Sequence, residues 1–128
     1  MKKIFFFIAL LTALQSFAQD STNAKPKEYL AVLTLTEKYQ DDKNWTKADQ
    51  GVVSEHFQRL IKMKNEGIVV FAGRTQLESN DPNMMGLVVF YAKDQKEALQ
   101  FMLEDPAVKN KIMLTKVYPY GTAINKCD

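Results

Sequence analysis

Runs of strand-forming residues and stretches of helical periodicity follow one another in this chain as strand–helix–strand–strand–helix–strand, and few folds accommodate that order. The strand runs are Tyr29–Thr36 (YLAVLTLT), Ile68–Ala72 (IVVFA), Gly86–Ala92 (GLVVFYA) and Met113–Tyr120 (MLTKVYPY). Each is rich in β-branched or aromatic residues, which suit a pleated, half-buried surface. Between the first and second runs, Val52, Val53, His56, Phe57, Leu60, Ile61 and Met63 fall on one half of a helical wheel. Ser54, Glu55, Gln58, Arg59, Lys62, Asn65 and Glu66 fall on the other, at about 100° per residue. Ala98, Leu99, Met102 and Leu103 form a second apolar stripe between the third and fourth runs. This βαββαβ order is the ferredoxin-like split pattern of the α+β class, with two helices on one face of a four-stranded antiparallel sheet.

Local chemistry marks the element ends. Thr46 and Asp49 have the spacing of a capping box, although Gly51 weakens the first turn, and Gly67 suits a helix C-terminus. Asp94 with Glu97 repeats the box ahead of the second helix. Asp105-Pro106 reads as a fresh N-cap with proline at the first helical position, opening a short segment to about Lys111. Residues 37–45 and 75–84 read as loops, the second containing Asn80, Asp81 and Pro82.

The second and third strands carry apolar residues on both sides, where a sheet with one wet face should alternate. No spare element remains to cover that second face. A second copy of the chain, packed sheet to sheet, is the economical answer, so a homodimer is expected.

The first residues read differently from the domain. Lys2 and Lys3 precede the apolar run Ile4–Leu14, and Ser16-Phe17-Ala18 supplies small residues before a cut after Ala18. That is the layout of a secretory signal peptide, so residues 1–18 are expected to be removed on export to a periplasm or the medium. Residues 19–28 then form a polar, flexible leader, residues 29–123 the domain and residues 124–128 a tail. The 17 basic residues fall to 15 without Lys2 and Lys3, equal to the 15 acidic ones. A chain so balanced, with no basic cluster, gives no reason to expect nucleic acid as a partner, nor a membrane after cleavage. The single cysteine, Cys127, excludes an intramolecular disulfide and is expected to be a tolerated terminal thiol.

Two residues stand out for chemistry. His56 is the one histidine and lies inside the apolar arc of the first helix. It is either a core residue bonded to backbone or a group able to move protons near neutral pH. Asp105 is either a plain N-cap or, having two oxygens, a cap that also holds an imidazole. Metal binding and cofactors are not expected: one histidine and one terminal cysteine offer no ligand spacing, and Gly73 and Gly86 make no phosphate loop. Tyr29, Phe71 and Phe90 are candidates for a pocket wall, strand parity being open.

As an ensemble these features resemble the YciI-like proteins, or YCII-related domain, small dimeric α+β-barrel proteins. The resemblance covers nearly all of residues 29–123. It rests on YLAVLT, His56 within SEHFQRLIKMKNEG, VVFAGR, SNDPNMMG leading into LVVFYA, and EDPAVKNKIM before the last strand. It implies a His/Asp pair in a cleft, which maps onto His56 and Asp105, with Gly73 and Gly86 around the cleft strands. Some relatives, the chloromuconolactone dehalogenases, eliminate halide from a lactone. Arg74 departs from the pattern, since proline is common there. It is either an anion clamp for a substrate carboxylate or a surface residue.

The expected function is therefore a small-molecule enzyme using His56 and Asp105 for proton abstraction or elimination on a small acidic or lactone-like substrate. The alternative is a non-catalytic envelope protein that binds a small ligand in the same cleft. Haem binding, known in other dimeric α+β-barrel families, ranks last, because His56 alone could be its ligand.

Overall fold

The computed structural model describes residues 25–125, so the expected signal segment and Cys127 lie outside the described residues. The elements are β1 (Lys27–Leu35), α1 (Lys47–Asn65), β2 (Val69–Arg74), β3 (Gly86–Ala92), α2 (Gln95–Leu103), α3 (Pro106–Lys109) and β4 (Met113–Pro119). All sheet pairings are antiparallel and the strand order is β2-β3-β1-β4. The α+β, ferredoxin-like fold read from the sequence is thus observed, with the short α3 as a third helix.

β1 starts earlier than the sequence suggested. Lys27 and Glu28 pair with Ala92 and Tyr91, and Tyr120 N–H donates to the Glu28 carbonyl at 3.0 Å. The Glu28 carboxylate also accepts from Thr122 N–H at 2.6 Å, so this strand end and the chain beyond β4 hold each other. That backbone hydrogen bond leads the influences that keep the Glu28 carboxyl below its ordinary value.

α1 begins with the capping box expected of Thr46 and Asp49, and both reciprocal hydrogen bonds form. The helix runs through Gly51 unbroken and stops before Gly67, whose φ of 76° suits glycine. Its buried stripe is narrower than the apolar arc. His56 and Leu60 are buried, whereas Phe57 and Ile61 are about half exposed, at 55% and 49%. On α2, Ala98 and Met102 are buried while Leu99 and Leu103 are exposed. Phe101 takes the place expected of those leucines, with its ring stacked 4.7 Å from that of Phe90.

The loop before α1 has more structure than its polar sequence suggests. It forms two 3-10 turns, Glu37–Gln40 and Asp42–Asn44. Tyr39 is buried, and its hydroxyl donates to the Asp49 carboxylate at 2.9 Å. Trp45 donates its indole N–H to the Tyr39 carbonyl at 3.0 Å, with the two rings 5.0 Å apart. The loop is thereby fastened to the first turn of α1.

Tyr29, Ala31, Leu33 and Leu35 of β1 alternate toward the helices with Val88 and Phe90 of β3, and most of the core lies there. The opposite face stays apolar. Phe71, Val89, Leu30 and Tyr118 stand side by side across all four strands. Tyr91 lies beside this row and Leu114 beyond Lys116 on the same face, and Phe71, Tyr91, Leu114 and Tyr118 remain exposed. Among the described residues no helix is long and apolar enough to cross a membrane.

Candidate functional site

The two residues singled out for chemistry meet. His56 faces inward from the middle of α1, one turn before Leu60. Asp105 is the N-cap of α3, placed there by Pro106 at the first helical position, and its Oδ1 accepts from Ala107 N–H at 2.9 Å. The same carboxylate faces His56, with Nδ1 2.9 Å from Oδ1 and 2.8 Å from Oδ2. One carboxylate therefore both caps a helix and holds an imidazole. His56 is 5% exposed and Asp105 not at all.

A third residue completes the cluster. Arg59, one helical turn beyond His56, lies with Nη1 3.4 Å from Asp105 Oδ2. Its Nη2 donates to the Phe101 carbonyl at 2.6 Å, and its guanidinium lies 4.2 Å above the Phe101 ring.

Burial is the largest single influence on Asp105 and pushes its carboxyl up. The His56 hydrogen bond and charge, the Ala107 amide and Arg59 together outweigh it. The carboxyl is held below the usual carboxylate value. Asp105 is thus an anion at neutral pH and can only accept, so His56 Nδ1 must donate. In neutral imidazole the proton then sits on Nδ1. Nε2 keeps its lone pair, and it has no hydrogen-bond partner among the described residues.

His56 lines a cleft of about 220 Å³ between α1, the β2–β3 edge and the loop joining those strands. That is smaller than typical ligand clefts of roughly 300–1,000 Å³, which restricts it to small molecules. Its walls are mostly apolar, with Trp45, Phe57, Leu60 and Met84 among them, and its other polar side chains are Thr34, Ser79 and Arg74.

Arg74 reaches this side because of a bulge. The register of β2 against β3 shifts between Val69 and Phe71. Val69 packs inward opposite Phe90, whereas Phe71 opposes Val89 on the outer face. Beyond the shift, Ala72 and Arg74 return to the cleft side. Gly73 and Gly86 border the same cleft. The pocket-wall candidates Tyr29, Phe71 and Phe90 do not line it. Tyr29 and Phe90 are buried in the core, and the bulge turns Phe71 outward.

Arg59 is the residue that sequence reasoning placed with the solvated half of α1. Its spacing of three from His56 was the available signal, because such pairs share a helix face. Among the described residues, no group of three histidine, cysteine, aspartate or glutamate side chains could hold a metal ion.

A ferredoxin-like α+β chain with a buried His–Asp pair beside a small apolar cleft is the class that fold and site define. Residues 29–120 match the family model of the YCII-related domain, and the chain belongs to that family. A search of curated proteins finds no match.

Proposed function

We propose that this YciI-like protein is a small-molecule enzyme in which His56 is a general base and Asp105 its orienting partner. The observation that carries this reading is the pairing of Nδ1 with a buried, ionised Asp105, which leaves Nε2 as the unprotonated nitrogen of a group lining the cleft. In the reaction, Nε2 takes a proton from a carbon next to a carbonyl. The C–H bonding electrons form a new C=C bond, and a leaving group departs with its own bonding pair. Asp105 stays ionised and stabilises the imidazolium.

The cleft favours a small, largely apolar substrate bearing one anionic or lactone-like group. Arg74, the guanidinium on its lining, is the proposed substrate-binding residue. A turnover screen of lactones and small carboxylic acids against the parent chain and a His56→Gln variant tests the reading. Loss of turnover with binding retained supports the enzyme. Binding to both proteins without turnover in either makes the protein a ligand-binding module.

The outer sheet face supports the proposal of a homodimer. Phe71, Leu30 and Tyr118, which flank the already buried Val89, would be covered between two copies, and an apolar strip across a whole sheet marks an interface. Light scattering at micromolar concentration is expected to give twice the mass of one chain. A Leu30→Glu variant, with a charge at the centre of the row, is expected to give a single chain. A parent chain of single mass contradicts the dimer. The segment Lys2–Ala18 likewise supports export and action outside the cytoplasm.

A further inference from the structure

Asp105 has no exposed surface, and a buried carboxylate needs a compensating positive charge nearby. His56 supplies one only while protonated. A general base must also stand neutral, and in that state the carboxylate needs another cation. Arg59 is placed for this, with Nη1 3.4 Å from Oδ2, and a guanidinium stays charged at any pH a folded protein survives.

We propose that Arg59 is a positioning residue, the fixed counter-cation that keeps Asp105 ionised while His56 passes between its neutral and protonated forms. This role is defined for the pair proposed above. Three restraints hold Arg59 in place. It shares a face of α1 with His56 at a spacing of three residues. Its Nη2 donates at 2.6 Å to the Phe101 carbonyl, one of the last-turn carbonyls of α2, where a cation also meets the negative end of the helix. Its guanidinium carbon lies over the Phe101 ring, 4.2 Å from its centre. The side chain is only 15% exposed, so little freedom remains to be lost when His56 changes charge.

The other groups facing the pair do not duplicate Arg59. From α3 comes the Ala107 amide, already bonded to Oδ1. Leu33 of β1, Val88 of β3 and Met113 of β4, which share the cleft lining with His56, carry no charge. From β2, Arg74 lines the same cleft but forms no ion pair with Asp105. α2 offers the Phe101 carbonyl, which Arg59 itself occupies.

The test is the NMR titration of the His56 ring in Arg59→Gln and Arg59→Lys. Glutamine keeps a donor for the Phe101 carbonyl but no charge, and lysine keeps the charge. Without a competing cation the imidazolium becomes the sole partner of Asp105. His56 is then expected to hold its proton to a pH higher than in the parent by about half a unit or more. Arg59→Lys is expected to titrate with the parent. An unmoved titration in folded Arg59→Gln overturns the proposal, since a purely structural Arg59 would alter melting and leave the imidazole alone.

Should Arg59→Gln not fold, the ¹³C shift of the Asp105 carboxyl in the parent chain decides. A carboxylate that stays ionised across the imidazole titration supports the proposal, and one that takes up the proton overturns it. Neither readout depends on turnover. A shift in Arg59→Gln with no substrate ever turned over would leave Arg59 in place and remove the catalytic reading. Turnover with no such shift would do the reverse.

Discussion

Replacing His56 with glutamine is expected to lower kcat on any substrate of this cleft by about 100- to 10,000-fold, the usual contribution of a positioned general base. The neutral amide is close in size to imidazole and still offers Asp105 a donor, so the fold and the cleft should survive. Steady-state kinetics separate the outcomes. Loss confined to kcat marks an interaction made in the transition state, whereas a raised KM at constant kcat marks ground-state binding. The latter is the pattern expected of Arg74→Ala. A His56→Gln enzyme within a few-fold of the parent would remove the histidine from the chemistry.

Asp105→Ala should be the most destabilising single change at this site, by about 3 kcal/mol at neutral pH. It removes the cap of α3 and takes the anion away from His56 and Arg59, both of which stay partly or wholly buried. The pH dependence follows from the lowered carboxyl of Asp105. A depressed folded-state carboxyl stabilises fully above the unfolded-state value of about 3.9, and the stabilisation is lost as pH falls through the folded value. Urea unfolding of parent and variant should therefore show a wide gap at pH 7 that narrows below about pH 4. A gap independent of pH would mean that the loss is packing rather than charge.

Local signals were the ones legible in the sequence. The Thr46/Asp49 box and the Asp105-Pro106 pair form as their spacing implied, because caps depend on neighbours three residues away or fewer. The succession of strands and helices along the chain also followed from hydrophobic pattern. What escaped depends on three dimensions. One bulged residue between Val69 and Phe71 reverses the faces of β2, so Phe71 could not be placed on a wall nor Arg74 in the cleft by counting residues. Arg59 sits on the polar side of a helical wheel, yet its long side chain lies across Phe101 and reaches Asp105 on a different element. The loop holding Tyr39 and Trp45 read as a loop because its order comes from contacts between residues apart in sequence, Trp45 with Tyr39 and Tyr39 with Asp49 of α1.

The pairing of His56 with Asp105 carries the whole account, and the protonation of one imidazole tests it most directly. The chain has a single histidine, so a two-bond ¹H–¹⁵N correlation spectrum, recorded at a pH where the ring is neutral, reports His56 without assignment. The proton is expected on Nδ1, donated to Asp105, with Nε2 bare, and this preference should weaken in Asp105→Asn. A neutral ring carrying its proton on Nε2 in the parent chain would contradict the account, because the nitrogen not bonded to Asp105 would then have no lone pair with which to accept a substrate proton.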